Sequence, residues 1–358
     1  MRVPIIFAAL AALLATSATA ATPDQQAWQT FLTMAAPAGP STVTFETWAS
    51  DDDIYGGKPH WPSSGVKSLH LSLAARAEDI AAHQAPAVNC LPKDGPAGNF
   101  PPGACIGEEV QHNRPVFDTI VGNGLTTKAG LIAFYASNKQ LSFPSDAIVV
   151  KADWALVSDV MRWLPQYKSP ADVRRAYYTN IATMNGVKGE YALLGMSVQS
   201  KTMKDWLWST FEHRSNPGRC DIIGCHDSFG AAIANVAPGA INSDYGLCAK
   251  TPALAALFAG DHLNPVWNNY CLKGTQTTFT GPDGKPTILA NSVIERMNKG
   301  VAVTQTSCIT CHAYASFDSA AHPNYDALAL RPTGKVQPKL LDGFKLHDYV
   351  WGILAIEH

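Results

Sequence analysis

Three residues near the carboxyl end combine types and spacing that serve metal or redox chemistry. The stretch TQTSCITCHAYASFD, residues 304–318, contains Cys308, Cys311 and His312. Residues three and four apart share one face of a helical turn, so both sulfurs and a ring nitrogen can point to the same side. Such a face suits a zinc ion, thiol redox chemistry, a local disulfide or the covalent attachment of a haem.

The rest of the sequence favours haem among these four. A zinc site needs about four ligands, and no second Cys-x-x-Cys or paired His spacing completes one. A thioredoxin-like dithiol is expected early in a βαβ unit, and a disulfide would leave the adjacent His unexplained. The C-x-x-C-H pattern therefore predicts one haem c, with thioethers at Cys308 and Cys311 and with His312 on the iron.

A second stretch, NPGRCDIIGCHDSFG, has a longer version of the same spacing. Cys220, Cys225 and His226 form C-x-x-x-x-C-H, which attaches a haem in some multihaem cytochromes. The alternative is a local disulfide that closes a turn, with His226 on the surface. We favour the disulfide, although both alternatives leave an even number of cysteines.

The ligand on the far side of the iron is not fixed by the sequence. No methionine follows Met297, so a self-contained minimal cytochrome domain is not expected, and the haem should pack against the larger amino-terminal part. Two axial ligands suit electron transfer, whereas an open position would bind peroxide, oxygen or nitric oxide. The candidate ligands are Met297, Met196, Met203, His213, His322 and His347.

Other constellations have weaker chemical meaning. The run Asp51 to Asp53 could bind calcium, but a solvated run that caps the next segment is the simpler interpretation. Trp206 and Trp208 alternate on one face of a predicted strand, where aromatic residues are more often core than an electron relay. No Ser-His-Asp spacing, phosphate loop or H-E-x-x-H motif is present.

The amino-terminal sequence predicts export. Residues 1–20, MRVPIIFAALAALLATSATA, combine a cation, a short apolar run and an A-x-A site, as a cleavable signal peptide does. The run is shorter than the roughly 20 residues that span a bilayer. We therefore expect a periplasmic protein without a membrane span. The formal net charge of −2 gives no support to a nucleic-acid or anionic-membrane partner.

The mixed elements predict an α+β fold. Amphipathic spacing predicts helices over 24–36, 68–83 and 106–122, and a Ser292/Glu295 capping box predicts one over Ser292–Asn298. Short β-branched and aromatic runs predict strands over 147–156, 190–198 and 205–213. A Pro- and Gly-rich loop is predicted over 85–103. Two pairs among the eight cysteines give the most economical disulfides. They are Cys90–Cys105, which flanks that loop, and Cys248–Cys271.

Several strings resemble a family of exported bacterial proteins of the cytochrome c type whose reaction is not assigned. They are EEVQHNRPVFDTIV, AIVVKADW, DWLWSTFEH, TILANSVIE followed by SCITCHAYAS, and HDYVWGI. The likeness covers most of residues 105–355. It implies haem attachment through Cys308 and Cys311 with His312 on the iron, and it does not extend to the C-x-x-x-x-C-H stretch.

These expectations divide the chain into a signal peptide (1–20), an α+β region (21–286) and a small helical haem-binding segment packed on it (287–358). The leading functional hypothesis is a periplasmic c-type cytochrome that transfers electrons to a redox partner protein. The size of the region ahead of the motif keeps two alternatives open. One is a haem-dependent oxidoreductase or peroxidase with a substrate-binding amino-terminal region, and the other is a haem-based sensor.

Overall fold

The computed structural model describes residues 20–63, 67–71, 100, 101, 103–184, 186–239, 248–261, 263–298 and 301–356. Residues 1–19 of the predicted signal peptide, most of the 85–103 loop and most of the predicted 68–83 helix lie outside these residues. Helices and strands are mixed along the chain, and the fold is α+β.

The α-helices are α1 Pro23–Ala35, α2 Asp51–Tyr55, α3 Arg114–Gly122, α4 Lys128–Ala136, α5 Val157–Trp163, α6 Pro170–Ala176, α7 Pro252–Gly260, α8 Cys308–Ala313 and α9 Tyr325–Ala329. Ser292–Asn298 forms a π-helix. Short 3₁₀ turns cover Thr44–Thr47, Pro265–Asn269, Val303–Gln305, Pro338–Leu341 and Trp351–Ile356.

The strands are β1 Ala49–Ser50, β2 Lys67–Leu71, β3 Ile106–His112, β4 Ile148–Leu156, β5 Thr179–Met184, β6 Val187–Ser200, β7 Leu207–His213, β8 Cys225–His226, β9 Asn235–Val236, β10 Tyr270–Gln276, β11 Ser316–Phe317 and β12 Lys345–Leu346. Eight of them form one sheet. β4 pairs with β3 and β6, and β2 pairs with β3 and β5, so that β3, β4, β6, β5 and β2 close into a ring. β7 and β10 extend the sheet from β6.

Successive side chains of a strand point to opposite faces, and the two faces of this sheet have different covers. On one face α1 packs through Trp28, whose ring centroid lies 5.0 Å from that of Phe211 on β7. Thr22 begins α1 by accepting a hydrogen bond from Gln25 N. The second face is covered by α2, α3 and the carboxyl-terminal segment, where Ile309 is fully buried.

Most predicted elements are confirmed. The helix over 24–36, the three strands and the helix over Ser292–Asn298 are all present, with shifts of a few residues at their ends. The capping residue of the last helix differs, because Asn291 Oδ1 accepts from Val293 N and Ile294 N.

Two helix predictions are wrong over part of their length. Residues 106–112 form β3, and the helix begins only at Arg114. Residues 67–71 form β2, which overlaps the start of the predicted 68–83 helix. Ile106 and Val110 are four residues apart, as on a helix face, but β3 is held by pairing to β4, so tertiary pairing overrides the local spacing.

The carboxyl-terminal segment shares a core with the rest of the chain. Ile309, Phe317 and Ile353 belong to the same buried cluster as Val116 and Trp206. A small sheet of β11 and β12 is attached to the end of α4, because Lys345 Nζ on β12 donates to the Phe134 carbonyl at 2.8 Å. The boundary between 286 and 287 stays a prediction.

Candidate functional site

The C-x-x-C-H residues lie on the short helix α8, and β10 fixes where that helix begins. Gln276 at the end of β10 accepts a hydrogen bond from Ile309 N at 2.9 Å. Its amide nitrogen donates to Ser307 Oγ, also at 2.9 Å. One side chain of the sheet thus satisfies an N–H that the first turn of a helix leaves without a partner. The spacing of three residues on this helix then puts Cys308 and Cys311 on the same face.

The two motif cysteines differ from the others in the described part of the chain. Five cysteines there take part in disulfides, whereas Cys308 and Cys311 are free thiols with half-buried side chains. The Cys308 thiol donates to the Leu289 carbonyl at 3.2 Å. Burial raises the pKa of Cys308 well above its usual value and that of Cys311 to about 11. Both groups are therefore neutral thiols at neutral pH in the chain without a bound group.

His312 is held as a neutral imidazole with one free lone pair. Its Nδ1 donates to the Tyr349 carbonyl at 2.8 Å, so the lone pair lies on Nε2. Burial lowers the pKa of His312 to about 4, although the bond to Tyr349 opposes this shift. The Trp208 ring packs beside it, with the centroids 4.5 Å apart. Ligating histidines commonly donate their second nitrogen to a carbonyl or carboxylate in this way.

The carbonyl that holds His312 belongs to a turn with unusual backbone angles. Asp348 has φ of 44° and Tyr349 has φ of 71°, in the left-handed region that non-glycine residues rarely occupy. The Asp348 carboxylate accepts from Phe143 N at 2.8 Å and from Lys201 Nζ at 2.6 Å. Tyr349 OH donates to Asp205 Oδ1 at 2.9 Å. Contacts from two other segments, the stretch before β4 and the turn between β6 and β7, therefore hold this conformation.

The sheet face beside the motif has a partly exposed row of side chains, named here the Lys151 row. Val110, Lys151, Ser197 and Thr210 form one cross-strand row over β3, β4, β6 and β7. Thr210 is fully buried, but the other three keep accessible surface in the middle of the sheet. The side chain of Lys151 is 33% exposed, and Cys311 is close enough to affect its pKa. Partly exposed side chains of the sheet thus lie beside the motif.

The Lys151 row is surrounded by carboxyl groups. Lys151 Nζ lies 3.6 Å from Glu108 Oε2. Burial alone would lower the pKa of Lys151, but Glu108, Glu295 and Asp153 outweigh it, so this pKa is raised. Burial raises the pKa of Glu295, while hydrogen bonding to Asn291 and the charge of Lys151 oppose the shift. A lysine cation among carboxyl groups therefore lies beside the thiols.

The donor set meets what a haem c requires of a protein. Cys308 and Cys311 are unpaired, protonated and on one helical face, as two thioether bonds demand. His312 adjoins them with its Nε2 lone pair free and its tautomer fixed. Half-buried side chains are present on both the motif helix and the neighbouring sheet. These residues fit the group that the sequence predicts.

The structure separates the candidate distal ligands. His213 uses both nitrogens, since Nε2 donates to the Ala176 carbonyl and Nδ1 accepts from Ser215 N. Met196 is buried on the opposite face of the sheet, in the core with Phe211. His322 is exposed and pairs with Asp318. Met203 is half-buried, the side chain of Met297 lies outside the described residues, and His347 is buried with Nε2 unbonded.

The second cysteine stretch is a disulfide. Cys220 and Cys225 are bonded to each other, which leaves their sulfurs unavailable for thioethers and confirms the favoured alternative. His226 is exposed and lies 3.3 Å from Asp24. The predicted Cys248–Cys271 bond is also present. Cys105 is in a disulfide, and its predicted partner Cys90 lies outside the described residues.

The remaining sequence candidates have structural roles. Asp53 completes a capping box with Ser50 at the start of α2, and Asp51 bonds His112. The acidic run therefore caps a helix, as the simpler interpretation expected. Trp206 and Trp208 are both buried in the core beside the motif.

Sequence reasoning missed the residues that orient and surround the motif. Asp348 and Tyr349 stand in the stretch 340–356 together with other polar residues such as Asp342 and Lys345, so no local signal marks the turn. Lys151, Glu108 and Glu295 carry no local signal either, because strand pairing and a helix packed on the same face of the sheet bring them together.

Two features are absent from the described residues. No group of three or more His, Cys, Asp or Glu side chains in the described ranges is placed to hold a metal ion. A haem would take a single protein ligand on this side of its iron, so that finding does not bear on it. Among the same residues, no helix has the length and apolar character needed to cross a membrane.

Comparisons of the chain with models of protein families, with curated proteins and with solved structures found no match.

Proposed function

We propose that the protein is a c-type cytochrome that carries one covalent haem in the periplasm and passes electrons to a partner protein. The observation that carries this proposal is the state of the motif: two free thiols on one helical face beside an imidazole whose Nδ1 is bound to a carbonyl. The disulfides elsewhere in the chain suit an oxidising compartment. In such a compartment, two adjacent thiols that stay unbonded need a separate use.

Each residue of the motif has a role in this function. Cys308 and Cys311 would hold the haem through thioethers, and His312 Nε2 would bind its iron. When bound, the group supplies a one-electron iron couple. The Tyr349 carbonyl fixes the His312 tautomer and raises its basicity as a ligand. Trp208 packs against the imidazole ring and limits its rotation.

The charges of the Lys151 row would set how readily the iron accepts an electron. Low exposure and nearby charge are among the levers by which a protein tunes a haem potential. The Lys151 cation favours the reduced state, and the neighbouring carboxylates favour the oxidised one. Glu295 carries a raised pKa through burial, so its protonation would change this balance with pH.

The attachment is tested by mass and by the pyridine haemochrome spectrum. Protein exported in a host that matures c-type cytochromes should carry one haem, and Cys308→Ser/Cys311→Ser should carry none. The matched control is Cys220→Ser/Cys225→Ser, which removes the other cysteine pair and should keep one haem. A wild-type protein with free thiols, or with Cys308 joined to Cys311, would overturn the proposal.

Electron transfer is separated from haem catalysis by the optical spectrum. A carrier should be low-spin and six-coordinate, and its spectrum should not change with cyanide, carbon monoxide or peroxide. A high-spin spectrum that responds to these molecules would contradict the carrier function and would favour the oxidoreductase or sensor alternative.

A further inference from the structure

Three buried polar atoms near the motif have no hydrogen-bond partner in the described part of the chain. They are His112 Nδ1, His347 Nε2 and Tyr55 Oη. The two histidines are 1% and 0% exposed, and Tyr55 is 9% exposed. A buried polar group without a partner destabilises the folded state, so proteins rarely leave one unpaired. Three such atoms in one region point to a ligand that they share.

The topology brings the three side chains together. His112 is the last residue of β3 and pairs with Ala49 on β1. Ala49 is followed by Ser50, the N-cap of α2, and by Asp51, the first residue of that helix. Tyr55 ends α2, and its Oη packs so closely on Gly352 that a Cβ there would lie 2.5 Å away. His347 lies in the turn just before Gly352. His112 is also near enough for its charge to contribute to the lowered pKa of His347, which burial chiefly causes.

In each of the two histidines, the ring nitrogen that is not among the three unpartnered atoms makes a hydrogen bond. His112 Nε2 lies 2.8 Å from Asp51 Oδ1, and His347 Nδ1 lies 2.7 Å from the Val350 carbonyl. Both partners are acceptors, so these nitrogens carry the protons. The lone pairs are therefore on His112 Nδ1 and His347 Nε2, where no donor meets them.

This pattern selects the chemistry of the ligand. Two lone pairs repel an anion and attract a cation or a donor. A histidine that donates one nitrogen to a carboxylate or a carbonyl and offers the other is the usual form of a metal ligand. Imidazole suits zinc and copper rather than magnesium or calcium.

We propose that His112 Nδ1 and His347 Nε2 bind one zinc or copper ion, with Tyr55 OH donating to a water that completes its coordination. The site is separate from the cysteine motif and does not depend on the proposed haem. Phe143 and Phe317 pack edge-on against His347, with ring centroids 6.3 and 6.1 Å away. Asp51 acts as a positioning residue behind His112.

The test uses the full exported protein, incubated with zinc and separately with copper(II), passed through gel filtration and analysed for both metals. Wild-type protein should retain one ion per chain in addition to any iron, and its melting temperature should rise with the metal. His112→Gln and His347→Gln should each lose both effects. Exposed His322→Gln is the matched control and should retain them.

A gentler variant covers the case in which the histidine variants fail to fold. Asp51→Asn leaves both ligands in place and should weaken metal binding by about 10- to 100-fold. Failure of the wild-type protein to retain either metal would overturn the site and leave a buried water as the partner of the three atoms. Unchanged binding in Asp51→Asn and in a folded histidine variant would overturn it as well.

Discussion

His312 depends for its orientation on one backbone carbonyl, and that carbonyl depends on Asp348. The left-handed angles of Asp348 and Tyr349 cost free energy, which must be offset by contacts elsewhere. The Asp348 carboxylate supplies these contacts, since it accepts from Phe143 N, Lys201 Nζ and Trp206 Nε1. The contacts that stabilise the turn therefore also position His312, the candidate iron ligand.

Asp348→Ala should lower the free energy of unfolding by about 3 kcal/mol, because it leaves the mostly buried Lys201 cation without its partner. Asp348→Asn should cost less, since asparagine tolerates the left-handed region and still accepts a hydrogen bond. Urea denaturation measures both changes. Asp283→Ala removes an exposed partner of Lys285 and should change the value by less than about 0.5 kcal/mol. Equal losses for Asp348→Ala and Asp283→Ala would show that the turn is not held in this way.

Stability should fall below neutral pH, and His213 should contribute to the fall. Burial lowers the pKa of His213 from 6.5 to about 3. Between these values the unfolded chain binds a proton that the folded chain does not, so stability decreases as the pH falls through about 6.5 towards 3. The slope from this residue is roughly 1.4 kcal/mol per pH unit.

Chemical denaturation at a series of pH values tests this slope. His213→Gln should make the decline shallower by about that amount, whereas exposed His60→Gln should leave it unchanged. A decline of the same steepness in wild-type protein and His213→Gln would contradict the assignment.

At the scale of elements, alternate residues of β7 anchor the carboxyl-terminal segment along its length. Trp208 packs on His312, Thr210 accepts from Asn291 Nδ2 at 2.8 Å, and Glu212 accepts from Ser292 N at 2.7 Å. Glu212 also pairs with buried Lys273 at 3.3 Å. The strand thus sets the register of the π-helix and of the motif helix that follows it.

Asn291→Ala should loosen this register. The variant removes the bond to Thr210 and the two bonds that Asn291 Oδ1 accepts from the π-helix, and it should lower the free energy of unfolding by about 2 kcal/mol. Asn268→Ala changes an exposed asparagine whose amide bonds only a neighbouring carbonyl, and it should cost under about 0.5 kcal/mol. Urea denaturation compares the two, and a smaller loss for Asn291→Ala than for Asn268→Ala would contradict the anchoring role.

The sequence predicted those elements whose local pattern agrees with their tertiary setting. β4 and β7 are rich in β-branched and aromatic residues, and α1 has regular apolar spacing, so each was found. β3 was mistaken for helix because its polar residues are buried and partnered from a distance. Glu109, for example, accepts from Trp154 Nε1 at 2.9 Å. No local pattern encodes a partner 45 residues away.

The same distinction between local and long-range patterns applies to the candidate site. Cys308, Cys311 and His312 were predicted because the residues that define their chemistry are close together in the sequence. The Tyr349 carbonyl was not predicted, because it belongs to a turn 37 residues downstream of His312. The Lys151 row was not predicted either, because its residues come from different strands of the sheet. Local sequence thus predicts the reacting groups, while long-range pairing determines their environment.

At the scale of the whole molecule, the carboxyl-terminal segment completes a core rather than forming one of its own. Ile309, Phe317, Val350 and Ile353 are each at most 1% exposed, and they pack with residues of the first half of the chain. Segments that share a single core usually unfold together. The predicted division at residue 286 would therefore separate two parts that stabilise each other.

Hydrogen exchange followed by mass spectrometry tests this interdependence without relying on a bound cofactor. Peptides covering α8 and peptides covering the centre of β6 should open with the same free energy, because each segment loses its apolar cover when the other unfolds. Cysteine pairs should not disturb the comparison, since neither the 220–225 nor the 248–271 bond crosses residue 286. Opening of α8 at a free energy several kcal/mol below that of β6 would mean that the motif segment unfolds as a unit of its own. In that case the left-handed turn at Asp348 would have to hold His312 within a segment that opens independently of the sheet.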